Sequence, residues 1–552
     1  MAEELAVLRH LPAERLGAEL TMSAAHQHAP SGPSDPPSCF TISSSGHGGL
    51  KKALESLRPN SVVVLAPGEY RELETLEIKQ SGITFMADQG QEGEVIITAH
   101  HSDLKGQPMM RVSGAKVSMI GIKFKHVFET SGEEGPKVQE EVCDTTIFVE
   151  GNSELVMKKC SIMCPKGKGL EVAGKAKPRI EECEISQCVV GVCLHGKAAP
   201  VMKNCHIFDC QASCVHARGH AAGLFDGNKM HAGGDACICA AGTTSTCFTN
   251  NVIGETKGCG VLLGDRTRIT LERNNITAKH INGIQAGSEA NPTVRGNVIK
   301  GSGGSGIVLH DKATGIFVGN TVEQSKLACI GVRDSAEPYF RGNTVSNGEG
   351  SGIVFLGSSG GVFEDNQISG NGCSGIKLNG TSHVLFDGNK VQRNKTYGIW
   401  LMDDSKGSFQ NNVIEGNTKA GLFVGDRASP DFVGNTVREG KQVGIILRNS
   451  ATGMYKNNVI SKHETNVLLH GSCGGYFEGN QICYSSGCGV LCRAESTVTL
   501  IRNTVDHNVR ANIAVLDRAS PIVEENVIQE GSGRGLVITG HASGRVVNKI
   551  IR

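Results

Sequence analysis

Short apolar runs whose side chains alternate between two faces recur along most of this chain. Runs such as Gly306-Ile307-Val308-Leu309 and Gly398-Ile399-Trp400-Leu401 place aliphatic residues one and three positions after a glycine. In an extended strand those two positions share a face, so both point inward and the residue between them points out. A second inward set runs Phe317, Phe340, Phe363, Phe386, Phe409, Phe432, Tyr455, Phe477, and a third runs Ile299, Val322, Val345, Ile368, Val391, Ile414, Val437, Ile460. Within these sets the spacing is 23 residues apart from one step of 22. Three inward contacts per period predict three short strands, and no 3.6-residue period in the coils lasts long enough for a helix.

Polar positions keep the same beat. Asparagine returns at 228, 251, 274, 297, 320, 343, 366, 389, 412, 435 and 458, then at 480, 503 and 526, and Cys160, Cys183 and Cys205 hold the slot upstream. Glycine recurs at 260, 283, 306, 352, 375, 398, 421, 444, 489 and 535, with Cys329, Asn466 and Asn512 filling gaps. A fixed period of this length describes a solenoid in which each coil packs only on its neighbours. Like strands of successive coils then pair in parallel about 4.8 Å apart. The expected fold is all-β, a right-handed parallel β-helix of about twenty coils with three strands each. The repeated asparagine suits a turn, where its side chain bonds backbone or stacks amide on amide.

The ends differ from the repeats. Residues 1–39 read as a disordered tether, rich in Ser, Pro, His and Ala over 21–38, residues 40–115 as a cap with the first coils, and 116–552 as regular β-helix. In the cap a short amphipathic helix is expected over 50–57, strands over 61–65, 73–78, 83–86 and 95–98, and a turn over 66–70. Charge adds an exclusion: 55 basic and 55 acidic residues cancel, so bulk charge draws the chain to neither nucleic acid nor an anionic membrane. No run of 18 apolar residues is present to span a bilayer. Several of the 20 cysteines occupy ladder slots, which reads as reduced core thiols. With no apolar secretory core near Met1, the expected location is cytoplasmic or nuclear. No residue pattern calls for a cofactor.

Nine residues after the glycine slot, proline and glycine alternate: Pro292, Gly315, Pro338, Gly361, then Gly407, Pro430, Gly453. The unit is therefore a pair of coils. This alternation resembles the β-helix of the F-box-only proteins that act as substrate receptors of cullin–RING ubiquitin ligases, and their relatives that bind adaptor proteins. At the N-terminus, LRHLPAERL (8–16) is similar to the beginning of an F-box, while the family's C-terminal zinc-finger region has no counterpart. The resemblance implies a non-catalytic protein-interaction scaffold, with a cullin adaptor among its partners. The segment VVVLAPGEY (62–70) resembles the entry of many β-helix proteins, carbohydrate-active ones included.

Candidate chemistry is sparse in this reading. The outward positions from Gln285 onward run Val308, Gly331, Val354, Lys377, Trp400, Phe423, Ile446, Leu468, Leu491, an apolar face with one lysine. Lys377, Trp400, Phe423, Ile446, Leu468 and Leu491 form the expected protein-binding stripe, left exposed on the surface. Charges gather five residues after the glycine slot, as in Asp265-Arg266, Asp311-Lys312, Asp403-Asp404, Asp426-Arg427 and Asp517-Arg518, where a turn favours aspartate. If the chain is an enzyme, Asp403 and Asp404 are the acid/base pair, on a polyuronate-active lyase, hydrolase or epimerase. A structural part in a cytoskeletal assembly is the third reading. Cys193, His216 and Cys239 share one outward slot in successive coils, a zinc set if His195 joins them.

Overall fold

The computed structural model describes residues 39–44, 48–128, 144–231, 234–277 and 280–550. The 1–39 tether and the F-box-like 8–16 therefore lie outside the described residues, apart from Cys39, which opens the first strand, Cys39–Ile42. The described chain winds as a right-handed parallel β-helix with every strand pairing parallel to its counterparts in adjacent coils. Three ladders result. In the first, Phe317 pairs with Phe340, Phe340 with Phe363 and Phe363 with Phe386. In the second, Val322 pairs with Val345 and Val345 with Ile368. The third carries the runs that follow the glycine slot, such as Ile376–Leu378 beside Tyr397–Leu401.

Identical registers stack identical side chains. Phe317–Phe340, Phe340–Phe363 and Phe363–Phe386 lie 4.3, 5.0 and 4.7 Å apart between ring centroids with nearly parallel planes. Coil spacing sets this geometry, since adjacent strands stand about 4.8 Å apart. These rings, with the aliphatic residues of the other two ladders, make one continuous core.

The asparagines form a buried amide ladder. Asn343 donates its backbone N–H to Asn366 Oδ1 at 2.9 Å and its side-chain Nδ2 to the same oxygen at 2.9 Å. Nδ2 also donates to the Phe317 carbonyl at 2.9 Å. Each coil thus satisfies the turn of its neighbour, as buried polar groups require. A second ladder of this kind runs on the surface, at the aspartate turn. Asp265, Asp311, Asp403, Asp426 and Asp517 all adopt φ between +50° and +62°. Their carboxylates accept N–H groups from the preceding coil, as with Gly242 to Asp265 and Gly380 to Asp403, both at 2.8 Å. At the glycine slot, a Cβ on Gly375 would lie 2.5 Å from Val391 Cγ1 and 2.8 Å from the Gly398 carbonyl oxygen, so the coils leave no space for one.

In the N-terminal region the strands are Val62–Leu65, Leu76–Ile78, Ile83–Ala87 and Val95–His100, so the one expected over 73–78 begins only at Leu76. Helix α1 (Gly49–Ser56) buries Leu50 against the first coil, and the Glu72 carboxylate accepts the Leu50 N–H at 3.0 Å at its N-terminus. Residues 68–72, read as part of a turn, are a strand, Gly68–Glu72, paired with Val95–His100. The inward Tyr70 explains this: it is buried and its hydroxyl donates to the Ile42 and Ala66 carbonyls, both at 2.7 Å. A second helix, α2 (His101–Leu104), sits between this strand and the next coil. No helix of the described residues is long and apolar enough to cross a membrane.

Candidate active site

The outward face of the third ladder is the surface on which side chains of successive coils line up. Its register runs Glu77, Arg111, Phe148, Glu171, Cys193, His216, Cys239 and Leu262 before reaching Gln285. The sequence reading followed this row from Gln285 and, upstream of it, named only Cys193, His216 and Cys239. Glu77, Arg111 and Glu171 give the N-terminal part its charge.

Glu171 is its centre. Its side chain is 14% exposed and receives three hydrogen bonds. Lys168 Nζ donates to Oε1 at 2.8 Å, Thr145 Oγ1 donates to Oε2 at 2.7 Å, and His195 Nε2 meets Oε1 at 3.0 Å. Burial alone would push the carboxyl up, but the bonds from His195, Lys168 and Thr145 outweigh it and bring it down to about 2. Glu171 is therefore a fixed anion at neutral pH. In the tautomer that directs Nε2–H at that anion, Nδ1 is the ring's acceptor. One coil earlier, the Phe148 ring stacks toward His195 at 6.5 Å between centroids and carries the Arg111 guanidinium 5.1 Å above it. Arg111 in turn pairs with Glu150 at 3.1 Å. Two cations, two carboxylates, an imidazole and an aromatic ring thus gather on neighbouring coils of this face. At the head of the row, a concavity of about 530 Å³ opens between α1 and the first coils, with Glu77 and Asp103 in its wall.

The residues singled out from sequence fall elsewhere on the same fold. Asp403 is a turn residue whose carboxylate accepts the Gly380 N–H at 2.8 Å. Asp404 takes a two-pronged bond from Arg427, both contacts at 2.6 Å, and that guanidinium holds its carboxyl below the usual range. Asp404 thus lacks the raised carboxyl of a general acid. Lys377, Trp400, Phe423, Ile446, Leu468 and Leu491 do form one continuous row. They are half-buried rather than bare. Tyr397, three residues earlier in the same strand, packs 5.2 Å from Trp400 and 5.0 Å from Phe423, while Lys377 Nζ sits 4.4 Å from the Trp400 ring centroid. Filling between neighbours is what shields the stripe.

Cys193, His216 and Cys239 register side by side as expected, yet they are not among the groups that bring metal-binding atoms close together. Cys193 is buried against Val189 and Val190, and His216 accepts a hydrogen bond from Arg218 at 3.2 Å. Among the described residues, ligand atoms come within 4.8 Å of one another in His101–His126–Asp144 and in His310–Asp311–Asp334. The second group belongs to the aspartate turn: Asp311 accepts from Ser288 N–H at 2.8 Å and Asp334 from Asp311 N–H at 3.2 Å.

Arg111, Thr145, Phe148, Lys168 and Glu171 were all missed from sequence. A signal was there, since Glu171 and Phe148 stand 22 and 45 residues before Cys193, on the ladder's beat. Arg111 was out of reach, because 37 residues separate it from Phe148.

Comparison with known proteins agrees on the fold. Among curated proteins, none matches this chain. Solved structures that match include a mutant of the periplasmic alginate epimerase AlgG, at 14% identity and a TM-score of 0.32 over 67% of this chain and 85% of that one. Another is the catalytic unit of the thermostable GH87 α-1,3-glucanase from Streptomyces thermodiastaticus strain HF3-3, at 14% identity and a TM-score of 0.37 over 68% and 70%. A third is the alginate lyase from Paenibacillus sp. str. FPU-7, at 12% identity and a TM-score of 0.33 over 47% and 94%. At these identities the likeness is one of fold. The expectation of a non-catalytic scaffold akin to a ubiquitin-ligase receptor is corrected by the site itself, because the charged row taken to be missing is present upstream of Gln285. The family described as "Right handed beta helix region" matches residues 145–299, 282–437 and 421–552. The overlapping matches run through most of the chain, which therefore belongs to the right-handed β-helix family.

Proposed function

We propose that the protein is an enzyme acting on an acidic polysaccharide, with its reaction centred on Lys168, Glu171 and His195. The observation that carries this reading is the bonded Lys168–Glu171–His195 group beside Arg111 and Phe148, on the outward face where successive coils align. Breaking or inverting a uronate at the carbon next to its carboxylate requires removal of a weakly acidic proton. A cation on the carboxylate makes that proton more acidic, and a positioned base removes it. In our reading Lys168 and Arg111 meet the sugar carboxylate, Phe148 supports the ring, and His195 takes the proton on Nδ1. Glu171 fixes the imidazole tautomer and stabilises the imidazolium that forms, as a buried carboxylate does beside a catalytic histidine. Elimination then breaks the bond to the neighbouring sugar oxygen, which leaves with a proton. Return of a proton to the opposite face gives epimerisation instead.

The half-buried Trp400, Tyr397 and Phe423 lie ten coils further along the same face, about 48 Å away at about 4.8 Å per coil. That span suits a polymer rather than a small sugar. The test is incubation of the purified chain with polygalacturonate and with alginate. Lyase action is read from the ultraviolet absorbance of the unsaturated product, epimerisation from proton exchange with deuterated water. The reading expects turnover on one of them and its loss by a hundredfold or more in His195→Ala. No turnover on either polymer, or turnover indifferent to His195→Ala and Glu171→Gln, overturns it.

A further inference from the structure

We infer that His101, His126 and Asp144 form a binding site for a divalent transition metal such as zinc. One ligand atom from each lies within 4.8 Å of the others. His126 is fully buried and Asp144 is 5% exposed, and each holds a buried polar atom with no hydrogen-bond partner among the described residues: His126 Nε2 and Asp144 Oδ1. Leaving such buried atoms unpaired is costly, so a ligand that engages both is favoured.

The rings are held ready. Phe128 stacks on His126 at 4.7 Å and on His101 at 5.3 Å, with interplanar angles of 22° and 24°, so one flat wall aligns both imidazoles. His126 Nδ1 lies 3.7 Å from Cys164 Sγ, which engages that nitrogen and leaves Nε2 for the metal. Metal-bound histidines characteristically make such a contact through the other ring nitrogen. His101 Nδ1 faces Asp144 Oδ2.

Donor chemistry selects the ion. Two imidazoles and one carboxylate suit zinc, cobalt, nickel or iron, whereas calcium and magnesium favour all-oxygen sets. Three protein ligands leave a fourth position open, and the half-exposed side chain of His101 places it toward solvent. Asp144 opens the strand Asp144–Glu150, which carries Thr145 and Phe148, so a bound ion anchors the start of the segment that faces Glu171. The site stands on its own geometry and does not rest on the proposed reaction.

The test strips the full chain with a chelator and titrates it with Co²⁺ and Zn²⁺. The expected result is one tight equivalent, with a visible Co²⁺ ligand-field band of nitrogen and oxygen donors. His101→Ala and Asp144→Asn each weaken binding at least tenfold, while Asp334→Asn, in the other cluster, leaves it unchanged. Circular dichroism of the metal-free variants verifies that they are folded, and the exposed His101 tolerates truncation. Absence of a tight equivalent overturns the inference. So does binding unchanged in both His101→Ala and Asp144→Asn, binding lost in Asp334→Asn, or a sulfur-to-cobalt charge-transfer band showing that cysteines hold the ion.

Discussion

Replacing Asn343 by alanine tests how much of the coil's cohesion comes from the amide ladder. Asn343 Oδ1 accepts the Asn320 backbone N–H at 2.8 Å and Asn320 Nδ2 at 2.9 Å, and its own Nδ2 donates to the Phe317 carbonyl at 2.9 Å. Truncation removes all three bonds in a layer where these asparagines are at most 1% exposed, although Asn320 Nδ2 keeps its second bond, to the Val294 carbonyl at 2.9 Å. An unsatisfied buried polar group costs about 1–3 kcal/mol, so the other two groups, which lose these partners, cost about 2–6 kcal/mol together. In a solenoid this loss stays local, because each coil is coupled to its neighbours alone. Hydrogen exchange should therefore accelerate most at residues 317–366 and little near Asn228 or Asn503, and urea unfolding should begin earlier. Asn343→Cys should cost less, since Cys160, Cys183 and Cys205 fill this slot in the upstream coils, where Cys160 N–H points to Cys183 Sγ at 3.4 Å. A cost below about 1 kcal/mol for Asn343→Ala, or acceleration spread evenly along the chain, would refute the ladder as the source of cohesion.

Gly375→Ala should destabilise by about 1–3 kcal/mol, because the new Cβ meets Val391 and the next coil's carbonyl; an unchanged urea midpoint would contradict this. Glu171, moved from its ordinary 4.5 to about 2, contributes about 3 kcal/mol above pH 4.5 and loses it as pH falls toward 2. The stability gap between wild type and Glu171→Gln should thus narrow from pH 6 to pH 3, and a constant gap in urea titrations would show that the carboxylate's charge is not what matters. Trp400 is the sole tryptophan, so its emission should shift when oligouronates bind the Trp400–Tyr397–Phe423 face, and Phe423→Ala should weaken that response. Asp404→Ala removes an ion pair at the solvent-exposed surface and should leave the melting temperature unchanged, as exposed pairs contribute little.

The repeat was legible because it is written in adjacent residues. Phe340 lies inward and Asn343 in the turn for reasons that each coil states locally, and 23-residue spacing stacks each on its like. Coil length, strand number, the asparagine and aspartate turns and the helix at 50–57 all follow from alternation, turn preference and period. The charged row did not follow. Arg111, Thr145, Lys168, Glu171 and His195 are ordinary polar residues whose meaning lies in being neighbours across coils. The long interval between Phe128 and Asp144 interrupts the beat between Arg111 and Phe148. Stripe exposure was likewise hidden, since Tyr397 fills the space beside Trp400 from another position in the same strand. The buried His126 is stranger still to the sequence, because its partners His101 and Asp144 come from a helix start and a strand start on either side of it. A period determines which residues stack, because stacking depends on spacing alone. Which charges meet, which atoms stay unpaired and what surface is left open depend on side-chain reach across coils, and only the tertiary structure decides that.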